Sequence, residues 1–272
     1  MSAAIRKTVL ITGSSDPEAM GWNAGLALAK QGYRVILSGR KSDVLQASKA
    51  ELVQRLVAEG QSEAEVDVRS VVLDVADPAS ISEAVNQLGG SDELLLGPDG
   101  VLDVLVNNAG ISAPPNRTGK GASTMFIQTP EATFEDVTTV MATNVAAVVE
   151  LTTPRIVNVS SARGSIEFAS GLEPARTGSI VYNASKTALN MVTMMQAKNL
   201  PAHIGRPNLK VNSASPGHVA TAFNNKTGTR TLEEGIAVYV HLATLPDDGP
   251  TGHLIGNHPP FSKDASFVQI PF

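Results

Sequence analysis

Thr8-Val-Leu-Ile-Thr-Gly13, followed by Ser14-Ser-Asp-Pro-Glu-Ala-Met-Gly21 and then a stretch rich in Ala and Leu, decides the architecture. An uninterrupted apolar run of strand length that stops at a glycine reads as a strand covered on both faces. The helix-forming residues after it make the connection a strand-to-helix turn. A turn at the carboxyl end of a first strand gathers backbone N–H groups at the positive end of a helix, the arrangement that receives a pyrophosphate. Gly13 permits the tight turn and Gly21 permits close approach. Ala19 stands where a middle glycine is expected, so the glycine pattern is stretched.

Outward from this turn the same alternation repeats. Strand-length apolar runs at Arg34–Ser38, Val71–Asp74, Leu102–Asn107, Ile156–Ser160, Leu209–Ser215 and, weakly, His253–Ile255 take turns with helical patterns at about 20–31, 43–59, 78–88, 133–152, 180–200 and 231–245. Regular alternation predicts an α/β fold, a doubly wound parallel sheet of about seven strands with helices on both faces. Residues 1–272 read as one domain, with surface loops at Gly89–Gly100 and Pro114–Gly121.

Composition narrows the function. With 272 residues and 42% hydrophobic content the chain can bury a large core. A net charge of -5 and the absence of any basic run longer than two residues argue against nucleic acid as a partner. Without cysteine there is no disulfide framework, thiolate metal site or thiol nucleophile. The histidines at 203, 218, 241, 253 and 258 lack metal-binding spacing and are expected as surface or loop residues, so no metal site is predicted. Met1 to Lys7 is short and polar for a signal sequence, and no run approaches a membrane span. A soluble, cytoplasmic protein with no membrane partner is the expectation.

Two local patterns carry chemistry. The second strand ends Leu37-Ser38-Gly39-Arg40-Lys41, with no acid where a carboxylate would hold an adenosine ribose. A guanidinium there suits a 2'-phosphate, which favours NADP(H) over NAD(H). Further on, Tyr182-Asn183-Ala184-Ser185-Lys186 places a phenol and an ammonium on one helix face. A fixed cation moves a phenol's pKa toward working pH, which makes Tyr182 a candidate general acid.

Asp74, Asn107-Asn108-Ala109-Gly110, Asn144, Ser161, Tyr182, Lys186 and Pro216-Gly217 stand in one order, each at the expected end of a strand or helix. Together they resemble the short-chain dehydrogenase/reductase family over nearly the whole chain. Segments similar to its carbonyl-reductase-like branch are Val211–Thr221, Thr227–Gly235 and Ala243–Gly252. The resemblance implies a Rossmann-type sheet and a reductase that passes hydride from NADPH to a ketone or aldehyde, or runs the reverse alcohol oxidation. It implies that Ser161 hydrogen-bonds the substrate oxygen, with Ser160 as the alternative donor. It also implies that Tyr182 delivers the proton, that Lys186 holds the nicotinamide ribose and depresses the tyrosine pKa, and that Asn144 ties a water relay to that lysine.

Cofactor positions follow from the same resemblance. Gly13, Ser15, Met20 and Gly21 would form the phosphate turn, with Arg40 beyond it. Asp74 and Val75 would face the adenine, and Asn107, Asn108, Ala109 and Gly110 the adenosine ribose. Pro216, Gly217, Val219 and Thr221 would lie by the nicotinamide, and a substrate loop is expected over about 218–240. The partner is a small carbonyl or alcohol compound.

Three departures from the family pattern qualify this. Five residues separate Gly13 from Ala19, a spacing closer to the bacterial enoyl-acyl-carrier-protein reductase branch. A longer than usual stretch separates Ser161 from Tyr182, as in monomeric carbonyl reductases, where it obstructs helix pairing, so a monomer or weak homo-oligomer is expected. The segment from Asn144 to Ile156 is shorter than usual, which predicts a clipped helix, weaker packing on that sheet face and a displaced Asn144. Two rival readings stay open: an enoyl reductase, and a non-catalytic NADP(H)-binding sensor or scaffold.

Overall fold

The computed structural model describes residues 6–90, 95–115, 127, 131–146, 153–173 and 178–272. Its strands are β1 (Thr8–Ile11), β2 (Arg34–Gly39), β3 (Val68–Val72), β4 (Val104–Asn107), β5 (Arg155–Val159), β6 (Lys210–Ser215), β7 (Leu254–Gly256) and β8 (Val268–Ile270). They form one sheet in the order β3-β2-β1-β4-β5-β6-β7-β8, parallel throughout except for β8. The helices are α1 (Met20–Lys30), α2 (Ser42–Ala58), α3 (Pro78–Gly89), α4 (Phe134–Asn144), α5 (Ile166–Ser170), α6 (Ile180–His203) and α7 (Leu232–Ala243). Strand order reverses between β1 and β4, which opens a crevice at their carboxyl ends.

The unbroken hydrophobicity of the strands has a direct cause. Successive side chains point to opposite faces, and both faces are covered. Val9, Ile11, Val35, Leu37, Val104 and Val106 pack with Trp22, Leu26, Leu45, Leu52, Val238 and Leu242 from α1, α2 and α7. Between them, Leu10, Ile36 and Leu105 turn to the other face, against Ala84 and Leu88 of α3. Further along that face Ile156 and Val211 meet Ala197 of α6.

The expected boundaries hold to within a residue or two for most elements, with three differences. β3 begins at Val68 rather than Val71, because pairing to β2 starts at Val35↔Val68 and recruits the polar Arg69 and Ser70 into the strand. Asp74 is thereby left in the turn beyond it. An eighth strand, unread in the sequence, pairs antiparallel with β7 through Leu254↔Ile270; three residues are too few to show a period. The helix expected over 133–152 ends at Asn144, and residues 147–152 lie outside the described residues.

Asn144 is 1% exposed in the last turn of α4. A reciprocal capping box between Thr133 and Asp136 holds the other end of α4. On the same sheet face a cavity of about 20 Å³ remains between α3 and the strands, lined by Leu10, Leu105, Asn107, Ile81 and Ala84. The insert between Ser161 and Tyr182 contributes α5, which packs on the C-terminal segment: Phe168 lies 5.1 Å from Phe261, and the Glu167 N–H donates to the Phe272 carbonyl. Residues 174–177 of the insert, like 91–94 and 116–121 of the predicted surface loops, lie outside the described residues.

Candidate active site

β5 ends beside α6, and one glycine sets how closely they meet. After Ser161 the chain makes a 3-10 turn over Ala162–Gly164. A Cβ added at Gly164 would fall 2.5 Å from the carbonyl carbon of Lys186 and 2.7 Å from its oxygen. Only a residue without a side chain lets this turn lie directly on the helix backbone. The consequence is that Ser161 comes near enough to Tyr182 for its side chain to lower the phenol's pKa. Gly164 was not singled out from the sequence; its signal is a glycine three residues after the serine.

The neighbouring Ser160, the alternative donor, is turned inward: its hydroxyl donates to Asn190 Oδ1 at 2.6 Å and is 2% exposed. Ser161 is half-buried, and its Oγ accepts the Arg163 N–H at 3.1 Å.

One turn along α6, Lys186 is 5% exposed and its Nζ lies 5.6 Å from the centre of the Tyr182 ring. Nζ donates to the Val159 carbonyl at 2.7 Å. Burial disfavours the ammonium and pulls the Lys186 pKa down to about 8. Burial also pushes the Tyr182 phenol up to about 12, while the Ser161 side chain and the Arg163 charge pull it the other way. This differs from the sequence expectation, in which the lysine lowers the phenol. The ammonium sits beside the ring and is engaged by a carbonyl, so desolvation of the hydroxyl prevails. Arg163, unread in the sequence, adds a charge that lowers the Tyr182 pKa.

Asn144 reaches the same place from α4. Its Oδ1 accepts the Ile111 N–H at 2.9 Å, and its Nδ2 donates to the Ile111 carbonyl and to Ser185 Oγ at 2.8 and 3.0 Å. A Cβ at Gly110 would lie 3.2 Å from Asn144 Oδ1 and 3.7 Å from Lys186 Nζ, so these three groups adjoin one another.

The crevice between β1 and β4 is bordered by the open turn that follows β1. Gly13 sits at φ +61, and a Cβ there would press on Ala109 Cα at 2.9 Å. α1 starts with Ala19 at its N-cap, no side-chain cap bond and no acid in its first turn, so its first N–H groups are uncapped by side chains. Tyr239, buried on α7, steadies Met20 through a hydroxyl-to-sulfur contact of 3.9 Å. Ser15 Oγ lies 2.7 Å from where a Cβ on Gly39 would stand, and Arg40 follows as an exposed residue.

Several predicted cofactor residues are engaged with the protein itself. Asn108 Nδ2 donates to the Thr12 and Gly13 carbonyls and fills the space beside Gly21, so its side chain shapes the turn. Ala109 N–H donates to Thr12 Oγ1. One carboxylate oxygen of Asp74 accepts the Ala76 N–H, a turn cap that leaves the other available; Val75 beside it is half-buried. Asn107 bonds Asn158 inside the sheet. Val219 turns its side chain into Gly235 and is 3% exposed. Thr221 caps the short turn at Ala222–Asn224.

The loop after β6 covers the site. Gly217 has φ +79, and the carbonyl of Pro216 before it accepts from Arg230 Nη1 at 2.8 Å. Phe223, 44% exposed, sets its ring 5.8 Å from that of Tyr182. Lys226 reaches back to Glu18 on the turn after β1 at 2.8 Å. Among the histidines, expected at the surface, His258 is instead buried at 5% exposure, because the short strand β7 carries it beneath Gly217. No cluster of potential metal ligands and no helix long and apolar enough to cross a membrane occurs among the described residues.

Comparison with known proteins agrees with this layout. Residues 7–231 match the family model described as short chain dehydrogenase. The chain is similar to (+)-neomenthol dehydrogenase of Arabidopsis thaliana, 29% identical over 93% of this chain and 96% of the relative. Salutaridine reductase of Papaver somniferum is 26% identical over 91% and 93%; its solved structure aligns with a TM-score of 0.64 at 24% identity, covering 92% of this chain and 99% of that one. A blue fluorescent protein from a metagenomic library, solved in complex with NADPH, aligns with a TM-score of 0.58 at 28% identity over 84% and 81%.

Proposed function

The chain belongs to the short-chain dehydrogenase family, and on that ground we propose that it is an NADPH-dependent reductase of ketones or aldehydes, run in reverse as an alcohol dehydrogenase. The observation that carries this reading is the Lys186 ammonium 5.6 Å from the centre of the Tyr182 ring, with the Ser161 turn packed on the same stretch of α6.

The residues present fit the dinucleotide. The Gly13 turn and the uncapped start of α1 offer N–H groups to a pyrophosphate, with Ser15, Met20 and Gly21 around it. The exposed Arg40 after β2 would pair its guanidinium with a 2'-phosphate. Asp74 and Val75 would border the adenine, Gly110 the ribose, and Pro216, Gly217 and the backbone near Val219 and Thr221 the nicotinamide. When bound, NADPH supplies the hydride that reaches the carbonyl carbon.

Ser161 donates to the substrate oxygen and stabilises the negative charge that develops there. Tyr182 gives its proton to that oxygen. A phenol raised to about 12 still serves, because an alkoxide is a stronger base than a phenolate and the transfer runs downhill. Lys186, whose burial eases proton loss, stands to return a proton toward the tyrosine. Asn144 holds the Ile111 peptide next to it. The relatives are named for neomenthol and salutaridine, and Phe223 beside Tyr182 offers an aromatic wall that suits a bulky, largely apolar substrate.

A panel of saturated ketones, aldehydes and enones with NADPH tests the reading. Carbonyl turnover that falls at least about a hundredfold in Tyr182→Phe, with NADPH affinity kept, is the expected result. Reduction of the enone double bond alone would favour an enoyl reductase. Cofactor binding with no turnover on any carbonyl would favour a sensor.

A further inference from the structure

Ser161 and Gly217 follow adjacent strands, β5 and β6, and one buried imidazole is joined to both places. His258 Nδ1 lies 2.9 Å from the Pro259 carbonyl, an oxygen that can only accept. Nδ1 therefore carries the hydrogen, and in the neutral ring Nε2 is a bare acceptor. Ser215 Oγ lies 2.9 Å from Nε2 and must donate to it. The same Oγ accepts the Ala162 N–H at 2.9 Å. Ala162 is bonded to Ser161, so the chain of bonds ends on the peptide that carries the Ser161 carbonyl. Ser215 and Ala162 are 1% and 6% exposed, so water does not compete for these groups. The ring also fills the space beneath Gly217, where a Cβ would meet His258 Cγ at 2.9 Å.

We propose that His258 is a positioning residue: as a neutral acceptor it orients the Ser215 hydroxyl, which fixes the Ser161–Ala162 peptide and so holds the Ser161 hydroxyl against Tyr182. The catalytic part of this rests on the role given to Ser161 above. A serine hydroxyl rotates about its C–O bond, and only an acceptor for its hydrogen keeps a lone pair aimed at one N–H. A protonated ring would instead point a second donor at the same oxygen. Burial and the nearby Arg230 charge both disfavour that form.

Three variants test the proposal: His258→Phe, which keeps a flat ring without an acceptor; Ser215→Ala, which removes a single oxygen; and His258→Gln, whose amide supplies one donor and one acceptor. In His258→Phe and Ser215→Ala, kcat should fall about tenfold or more with NADPH Kd within about twofold, since small misplacement of a reacting group costs rate rather than binding. Hydrogen exchange at the Ala162 amide should quicken by about tenfold in both, as a local bond is lost without global unfolding. His258→Gln should recover most of the rate and the protection, and the double variant should be no worse than either single one. Unchanged Ala162 exchange in Ser215→Ala, additive losses, or a Gln variant as impaired as the Phe variant would overturn the proposal. If His258→Phe does not fold, Ser215→Ala reads the same link. A wild-type protein inactive on every carbonyl would overturn the reductase reading, while Ala162 exchange would still decide whether His258 holds the peptide.

Discussion

A single methyl at Gly164 should pull the site apart. A Cβ there stands 2.5 Å from the Lys186 carbonyl carbon, and ordinary contact begins at 3.4 Å, so the turn must recoil by at least 3.4 − 2.5 = 0.9 Å. The atoms it meets are helix backbone and cannot rotate away. Gly164 has no positive φ that Ala would strain, so the effect is steric alone. A recoil of that size carries a hydrogen bond from its optimum to a length at which little remains. Ser161 would then lose its reach to Tyr182 and to the substrate oxygen together. Loss of one such donor costs about 10²–10³ in kcat, and overpacking costs about 1–3 kcal/mol in stability. At this chain length each kcal/mol lowers Tm by about 2–4 °C. Steady-state kinetics on an active carbonyl, with NADPH Kd from fluorescence titration, separates the two effects: kcat should fall while Kd holds, because the Gly13 turn is not touched. A Gly164→Ala enzyme within about threefold of wild-type kcat would refute the reasoning, since a donor of this kind supplies far more than that.

Arg40→Asp should weaken NADPH more than NADH, by about tenfold or more in the ratio of Kd values, because a charge-assisted contact to the 2'-phosphate is exchanged for repulsion; equal losses would remove Arg40 from that role. The cofactor-free protein should gain stability as pH rises from about 8 toward 10. Lys186 gives up its proton near 8 when folded but near 10.5 when unfolded, so in this window the unfolded chain holds more protons and the higher pH favours the fold. The gap of 10.5 − 8 = 2.5 caps the gain at about 3 kcal/mol, and Lys186→Met should lack the slope. Denaturant midpoints at pH 7.5 and 9.5 measure it, below the range where Tyr182 acts with the opposite sign; parallel behaviour of the two proteins would contradict the assignment. Phe223→Ala should raise KM for bulky apolar carbonyls several-fold and spare small aldehydes, because only the former reach the aromatic wall. A uniform change across both classes would argue against that contact.

The strand-and-helix order was legible in the sequence because a sheet covered on both faces needs apolar residues at every strand position, and such runs stand out. Val9 to Ile11 and Val35 to Leu37 carry that signal. β8 and the first half of β3 were not legible, since three residues show no period, and Arg69 and Ser70 become strand only because β2 offers them partners. The site was legible where spacing along one helix fixes neighbours, as for Tyr182 and Lys186. It was not legible where the neighbour is distant in sequence.

Residue order alone fixes the alternation, the succession of the site residues and the glycines at the first turn. Those are properties of local period and of residues that lack a Cβ. Tertiary contacts turn Ser160 inward and leave Ser161 at the crevice, bury the tyrosine hydroxyl so that its pKa rises, and tie Asn144 to Ser185. They also bring His258 beneath residues more than forty positions earlier in the chain. The physical reason is common to all of these. Desolvation and hydrogen-bond partnership depend on what encloses a group, and enclosure exists only after the sheet, α6 and the loop behind β6 have closed on one another.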